Sequence, residues 1–252
     1  MTDDPRIDRI VEAYGTACLD DPAAYSPVNH TFARADVVLL SHEVMLLFGK
    51  AFAAAGWDPA TINGKRLLEV GCAWGMRLQQ LLGFNLRPQD LHGIDLQPRW
   101  IEHAQATNPA MHWDVMSATS LRHEDRSFDA SFAVMALSAM LDPTVIDAAL
   151  AEMCRVSREF VLIVDNFDPA YENRGRGAVF LKGVDPARIE RLAQRPDVAD
   201  VRLLGKLWTT RPWAWRLAAF LERVGLGSVA YAVAVRMLAP HSHRGYLVRL
   251  RP

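Results

Sequence analysis

Cysteine is scarce in this 252-residue chain, with only Cys18, Cys72 and Cys154, odd in number and far apart. That spacing supports neither a disulfide framework nor a zinc site. An excess of one charge sign is also missing. Lys plus Arg total 28 against 29 for Asp plus Glu, giving a net charge of −1. No basic field therefore marks nucleic acid as a partner. The charge-free apolar run at residues 225–235 falls short of the ~20 residues that a bilayer span needs, so no membrane partner is expected. The opening Met1-Thr2-Asp3-Asp4-Pro5 is acidic and carries no apolar signal segment, which sets a cytoplasmic expectation. No internal repeat or low-complexity tract is visible. What is present is ordinary for a globular protein: 50% of residues are hydrophobic and 23% charged. That suffices for one substantial core, or a core with a small appendage.

The most informative stretch is Arg66-Leu67-Leu68-Glu69-Val70-Gly71-Cys72-Ala73-Trp74-Gly75. An apolar strand stops at a glycine, and a second glycine follows before a helical pattern begins. Open α/β sheets bring bare backbone against a nucleotide-like ligand in this way. Leu91-His92-Gly93-Ile94-Asp95 then reads as a second strand ending in a carboxylate, roughly 20 residues beyond Gly75, where it is placed to accept hydrogen bonds from a ribose diol. A dinucleotide site asks for G-x-G-x-x-G, and the third glycine of that pattern is absent here, which argues against NAD.

The pattern Glu69-x-Gly71-x-Ala73-x-Gly75 resembles the E/D-x-G-x-G-x-G motif of class I S-adenosylmethionine-dependent methyltransferases, with Ala73 in place of the middle glycine. The resemblance runs on to about residue 182. Ser127-Phe128-Asp129 opens a segment like the family's fourth strand, Glu152-Met153-Cys154-Arg155-Val156 resembles the end of the following helix, and Phe160–Asp165 reads as the fifth strand. The resemblance implies S-adenosyl-L-methionine as cofactor. Glu69, Gly71 and Gly75 would hold its methionine portion, Cys72 and Ala73 would bind it from the same turn, and Asp95 would hold its ribose hydroxyls. Trp74 or Leu96 would flank the adenosine, with Ala118 and Met135 nearby. Where the family often places an Asp-Ala pair for the adenine, this chain has Ser117-Ala118. Either Ser117 supports the adenine, or Asp114 takes part.

The implied fold is a Rossmann-like, seven-stranded, mostly parallel sheet with helices on both faces. Residues 1–62 form an N-terminal helical cap, with helical spacing over Ile7–Ala17 and Ala35–Ala55 and breaks at Pro22 and Pro27. Residues 63–252 form the cofactor-binding α/β domain. Helix starts are expected at Pro98 and Pro143, a loop over 166–183, a helix over Asp185–Gln194, and strands over Asp200–Trp208 and Arg244–Arg251. A helical insertion over 210–240 separates those last two strands and departs from the family. Its apolar residues suit core packing, a homodimer interface or a pocket lid.

Methyl transfer from a sulfonium is an in-line displacement, helped by alignment and water exclusion. A base is needed only where the acceptor must lose a proton. Met135-Ala136-Leu137-Ser138-Ala139-Met140-Leu141-Asp142 after strand four offers no His, Lys, Glu or Tyr. Candidates therefore fall in the cap (Tyr14, Tyr25, His30, His42, Glu43) and beyond strand five. His30, in a loop after Pro27, and Asn166, at a strand end, are the catalytic candidates. Arg174 and Arg176 flank Gly175 and suit a carboxylate or phosphate, or are exposed loop charge. His241 and His243 would share a strand face, but no third ligand lies nearby and no metal is assigned. The expected activity is methyl transfer to a small-molecule acceptor in biosynthetic tailoring. Two alternatives are intramolecular cyclisation of S-adenosylmethionine to azetidine-2-carboxylate, which releases methylthioadenosine, and a non-catalytic binding module.

Overall fold

The computed structural model describes residues 5–8, 12, 35–175, 178–210, 220, 223–226 and 238–252. The chain builds a seven-stranded sheet from β1 (Leu67–Val70), β2 (Leu91–Asp95), β3 (His112–Val115), β4 (Phe128–Val134), β5 (Ser157–Asn166), β8 (Val198–Thr210) and β9 (Leu238–Leu250), in the order β3-β2-β1-β4-β5-β9-β8. β3 through β5 are parallel, and β9 is antiparallel to both β5 and β8. The order reverses between β1 and β4, and the carboxyl ends of strands beside such a reversal are where α/β sheets bind ligands.

The central strands read as apolar runs because both faces of the sheet are covered. Their side chains alternate between two cores. On β5, Val161 and Ile163 join one cluster, while Phe160, Leu162 and Val164 join the other. The second face is closed by helix α1 (Ala35–Ala54). Its buried residues Val44, Leu47, Phe48, Ala51 and Phe52 recur at the spacing of one helical stripe. Phe48 meets Phe132 edge-on at 4.8 Å. Gly205 and Gly245 are sheet partners, and Leu47 sits over both.

Between the strands run α2 (Met76–Leu81), α3 (Pro98–Thr107) and α4 (Pro143–Val156). Both expected proline starts hold, and Asp142 caps α4 by accepting a hydrogen bond from the Thr144 amide at 2.7 Å. The Glu152–Arg155 pair at the end of α4 is a latch. The Leu121 amide donates to Glu152, and Arg155 donates to Glu152, Asp125 and the carbonyls of His123 and Leu121. The latch pins the loop between β3 and β4. Asp129 plays a similar part at the start of β1, accepting from the Arg66 amide at 2.8 Å.

Three expectations change. The stretch 166–183 is not all loop. It carries a hairpin of β6 (Glu172–Gly175) and β7 (Ala178–Lys182). The last two strands are each 13 residues long, because their cross-strand pairing continues past the sheet body. The expected helix after residue 185 is α5 (Pro186–Arg191) followed by a 3-10 turn to Gln194. Most of the 210–240 insertion, and most of the cap before residue 35, lie outside the described residues. Residues 5–8 are helical, and there Ile7 packs on Val145, Leu96 and Met140.

Candidate active site

β1 ends on Glu69 and Val70, and the chain then turns sharply. Gly71, Ala73 and Gly75 all have positive φ, at 73°, 46° and 81°. The amides of Gly71 and Cys72 both donate to the Ile94 carbonyl, at 2.9 and 3.0 Å, and the Gly75 amide donates to the Cys72 carbonyl. Asp95 locks the turn from β2. One carboxylate oxygen accepts the Ala73 amide and the other the Gln97 amide, each at 2.9 Å. A carboxylate offers about four acceptor sites in all, so capacity remains for a ligand hydroxyl. Burial raises the Asp95 carboxyl, opposed by the amides of Gln97, Ala73 and Leu96.

The other wall follows β4. Met135 has φ 57°, and its amide donates to the Val164 carbonyl at 2.7 Å. The amides of Leu137 and Ser138 donate to Asp165 at the end of β5, at 2.8 and 3.2 Å. Asp165 is wholly buried, and that burial lifts its carboxyl to about 6. Its role is to hold this loop in place. The two walls are pressed together: a Cβ at Gly71 would fall 2.5 Å from Ala136 Cβ.

The walls enclose a cavity of about 360 Å³, in the range of small-molecule sites. Trp74 and Trp100 meet edge-on at 5.8 Å on its border. Among the sequence-selected residues, Glu69, Gly71, Cys72, Ala73, Trp74, Asp95, Leu96, Ala118 and Met135 line it. Gly75 does not; it is buried behind the turn as the residue that starts α2. Ser117 is not among the lining residues, and its hydroxyl lies 2.9 Å from that of Thr119. Asp114 faces outward and pairs with Arg122 at 3.6 Å. Asn166 is buried away from the cavity, and its side-chain oxygen accepts the Asp168 amide at 3.0 Å, a turn-capping role. His42 is exposed on α1. Tyr14, Tyr25, His30 and Arg176 lie outside the described residues.

The ionisable groups of the cavity sit deep. Glu69 is 2% exposed, and its Oε2 has no hydrogen-bond partner. Burial pushes its carboxyl well above the usual range, opposed by the Arg77 guanidinium and the Leu78 amide and reinforced by Asp95. Burial, with Asp95 and Glu69, also pushes the Cys72 thiol well up, so it stays neutral and is no nucleophile. Arg77 is 9% exposed and lines the same cavity. Its Nη1 donates to the Ser41 hydroxyl of α1 at 2.8 Å and to Gln80 at 3.0 Å. Sequence reasoning missed Arg77, along with Trp100, Met116 and Met140. Arg77 shares the buried side of α2 with Leu78 and Leu81, but a helix of six residues is too short for its sequence pattern to show that.

Residues 67–159 match the family model of a methyltransferase domain. The match covers the chain from β1 into β5, the part that builds both walls of the cavity. S-adenosyl-L-methionine is the methyl donor of the class I methyltransferases. The domain shares its fold with magnesium protoporphyrin IX methyltransferase from Synechocystis PCC 6803 with bound S-adenosylmethionine, at 12% identity and a TM-score of 0.59, covering 100% of this chain and 99% of that one. A phosphoethanolamine N-methyltransferase from Haemonchus contortus is similar at 16% identity and a TM-score of 0.54, covering 92% and 59%. The [4+2]-cyclase SpnF is similar at 19% identity and a TM-score of 0.50, covering 80% and 78%. At these identities the likeness is one of fold. No protein of curated function matches in sequence.

Proposed function

We propose that this protein is a methyltransferase that uses S-adenosyl-L-methionine to methylate a small, partly apolar acceptor, as a step in biosynthetic tailoring. The observation that carries the reading is the cavity itself. Its acidic pair, Glu69 and Asp95, sits with Arg77 and Gln97 in a lining that also includes the apolar Val70, Ile94, Met116, Met135 and Met140. The residues fit the cofactor on their own chemistry. An orphaned Glu69 oxygen suits an ammonium, and the free lone pairs of Asp95 suit a ribose diol. When bound, the cofactor supplies a methyl group made electrophilic by its sulfonium.

The chain's own part is positioning. Asp95 fixes the ribose end through a carboxylate already aligned by two amides. The turn from Gly71 to Gly75 gives close backbone approach. Trp74 and Trp100 shield the site from water, and Asp165 holds the Met135–Ser138 loop through its backbone amides. Together these groups provide alignment and water exclusion, the main aids to an in-line displacement.

The deciding experiment is mass spectrometry on purified protein with S-adenosylmethionine, with and without a panel of small phenols, amines and carboxylic acids. The expected result is S-adenosylhomocysteine together with a singly methylated panel member. Steady release of methylthioadenosine in the absence of any acceptor overturns the proposal.

A further inference from the structure

Residues 211–237, between β8 and β9, carry four arginines (Arg211, Arg216, Arg223 and Arg236) against one carboxylate, Glu222, in a chain whose net charge is −1. Trp213, Leu217, Phe220, Leu221 and Val224 recur there at i, i+4, i+7, i+8 and i+11, the spacing of one apolar helical stripe. By the same spacing Arg216 and Arg223, seven residues apart, fall on one flank of it. The end of this stripe is described. Phe220 and Arg223 are helical, the Val224 amide donates to the Phe220 carbonyl at 3.2 Å, and Gly225 ends the turn with φ 80°. An amphipathic stripe ordinarily faces the core of its own fold. This one faces out: Phe220 is 59% exposed, Val224 52%, and Leu226 just beyond them 46%. Clustered apolar exposure of this kind marks a surface that meets something else.

We propose that this face docks on an anionic lipid surface, with Phe220, Val224 and Leu226 entering the interfacial layer and the arginines meeting the headgroup charge. Tryptophan, phenylalanine and leucine on one stripe with arginines beside it is the composition of helices that lie in the plane of a bilayer interface. Charge decides between lipid and a second copy of the chain. A two-fold contact between copies sets the arginine flanks close to their own like, whereas anionic headgroups complement them. The expectation of no membrane partner rested on the length of a span, and no helix among the described residues is long and apolar enough to cross a membrane. Lying on a bilayer needs no span. The strands place the face. β8 runs parallel to β5, since both are antiparallel to β9. The β5–β9 pairing ends at Asn166 and His243, while the β8–β9 ribbon continues to Thr210 and Leu238. The ribbon therefore leaves the sheet at the carboxyl ends of the parallel strands, the end that holds the cavity.

The test is sedimentation of the full chain with large unilamellar vesicles, made of phosphatidylcholine alone or of phosphatidylcholine and phosphatidylglycerol. The wild type is expected to partition about tenfold or more strongly into the vesicles that contain phosphatidylglycerol, and added salt is expected to weaken that binding. Phe220→Asp removes a buried ring from the interface and adds a like charge, and is expected to lower partition about tenfold. Arg223→Gln is expected to lower it about fivefold. Circular dichroism checks the fold of each variant, and should Phe220→Asp fail to fold, Arg223→Gln carries the test. No partition into the anionic vesicles overturns the proposal. So does equal partition into both kinds of vesicle, or partition that neither variant changes. A wild type that is dimeric and binds no vesicles, with a monomeric Phe220→Asp, assigns the face to a second copy of the chain and overturns the proposal as well.

Discussion

The indole of Trp113 occupies the space that a side chain on Gly75 would need. Trp113 is fixed by its ring N–H, which donates to the Asn108 carbonyl at 3.0 Å. The same ring lies 2.6 Å from where a Cβ on Gly93 would be. Two glycines, one on the turn after β1 and one in β2, thus form a single slot for one tryptophan. Gly75→Ala meets the ring and also must hold φ at 81°, a conformation that L side chains rarely adopt. The variant is expected to lose on the order of 2 kcal/mol of stability and to bind S-adenosylhomocysteine more weakly. Gly83→Ala, where nothing lies within 4 Å, is expected to stay within about 0.5 kcal/mol. Urea unfolding of the two variants checks this, and equal losses would show that the slot does not matter.

Asp95 has two jobs, which a conservative substitution separates. It braces the turn through the amides of Ala73 and Gln97, and its remaining lone pairs face the cavity. Asp95→Asn keeps the size but leaves only one acceptor oxygen. Binding of S-adenosylhomocysteine is expected to weaken by about 1–3 kcal/mol, with a smaller loss of stability. Titration calorimetry measures the first and thermal unfolding the second. Unchanged affinity removes Asp95 from the ribose.

The parallel sheet was legible in the sequence because β1, β4 and β5 are buried on both faces, and β1 and β2 run into residues that a turn requires. Gly71 and Asp95 could be placed for that reason. The β6–β7 hairpin was not legible, since its strands are short and carry charged and apolar residues without clear alternation. A strand end supplies both ligand contacts and turn caps, and sequence alone does not show that the Asn166 oxygen accepts the Asp168 amide. The local contact between the Ser117 and Thr119 hydroxyls is equally invisible in the sequence. Arg77 escaped notice because an arginine on a short helix reads as surface charge. Its burial depends on α1 lying across it, which is a tertiary fact.

Helix α1 seats on the sheet through Leu47, which lies in the space left open by Gly205 and Gly245. A Cβ at Gly245 would come 2.5 Å from Leu47 Cδ1. Gly245→Val is therefore expected to cost on the order of 2 kcal/mol by overpacking. Because α1 carries Ser41, the same variant is expected to weaken ligand binding. Combining it with Leu47→Ala frees the space, and the double variant is expected to be more stable than the sum of the single losses predicts. Strict additivity in chemical denaturation would mean that the two residues do not contact.

Two buried titrating groups pull the acid stability of the fold in opposite directions. Burial lifts Asp165 from 3.8 to about 6. Its stability contribution is therefore fully present below pH 3.8 and is lost as pH rises through 6. Relative to the non-titrating Asp165→Asn, the wild type is expected to lose about 2 kcal/mol between pH 4 and pH 7. His92 behaves the other way. It is stacked on His112 at 4.3 Å. Burial lowers it to about 3, helped by the neighbouring His112, Arg66 and His123 and opposed by Asp90. Its contribution is present above pH 6.5 and is lost as pH falls toward 3. Relative to His92→Gln, the wild type is expected to lose stability on acidification, by an amount reduced by the water that reaches the ring. Urea unfolding at pH steps from 4 to 7.5 gives both slopes, read as differences from each variant so that lost packing cancels. Parallel pH profiles for wild type and Asp165→Asn would mean that Asp165 is ionised throughout that range, and that its three amide donors outweigh its burial.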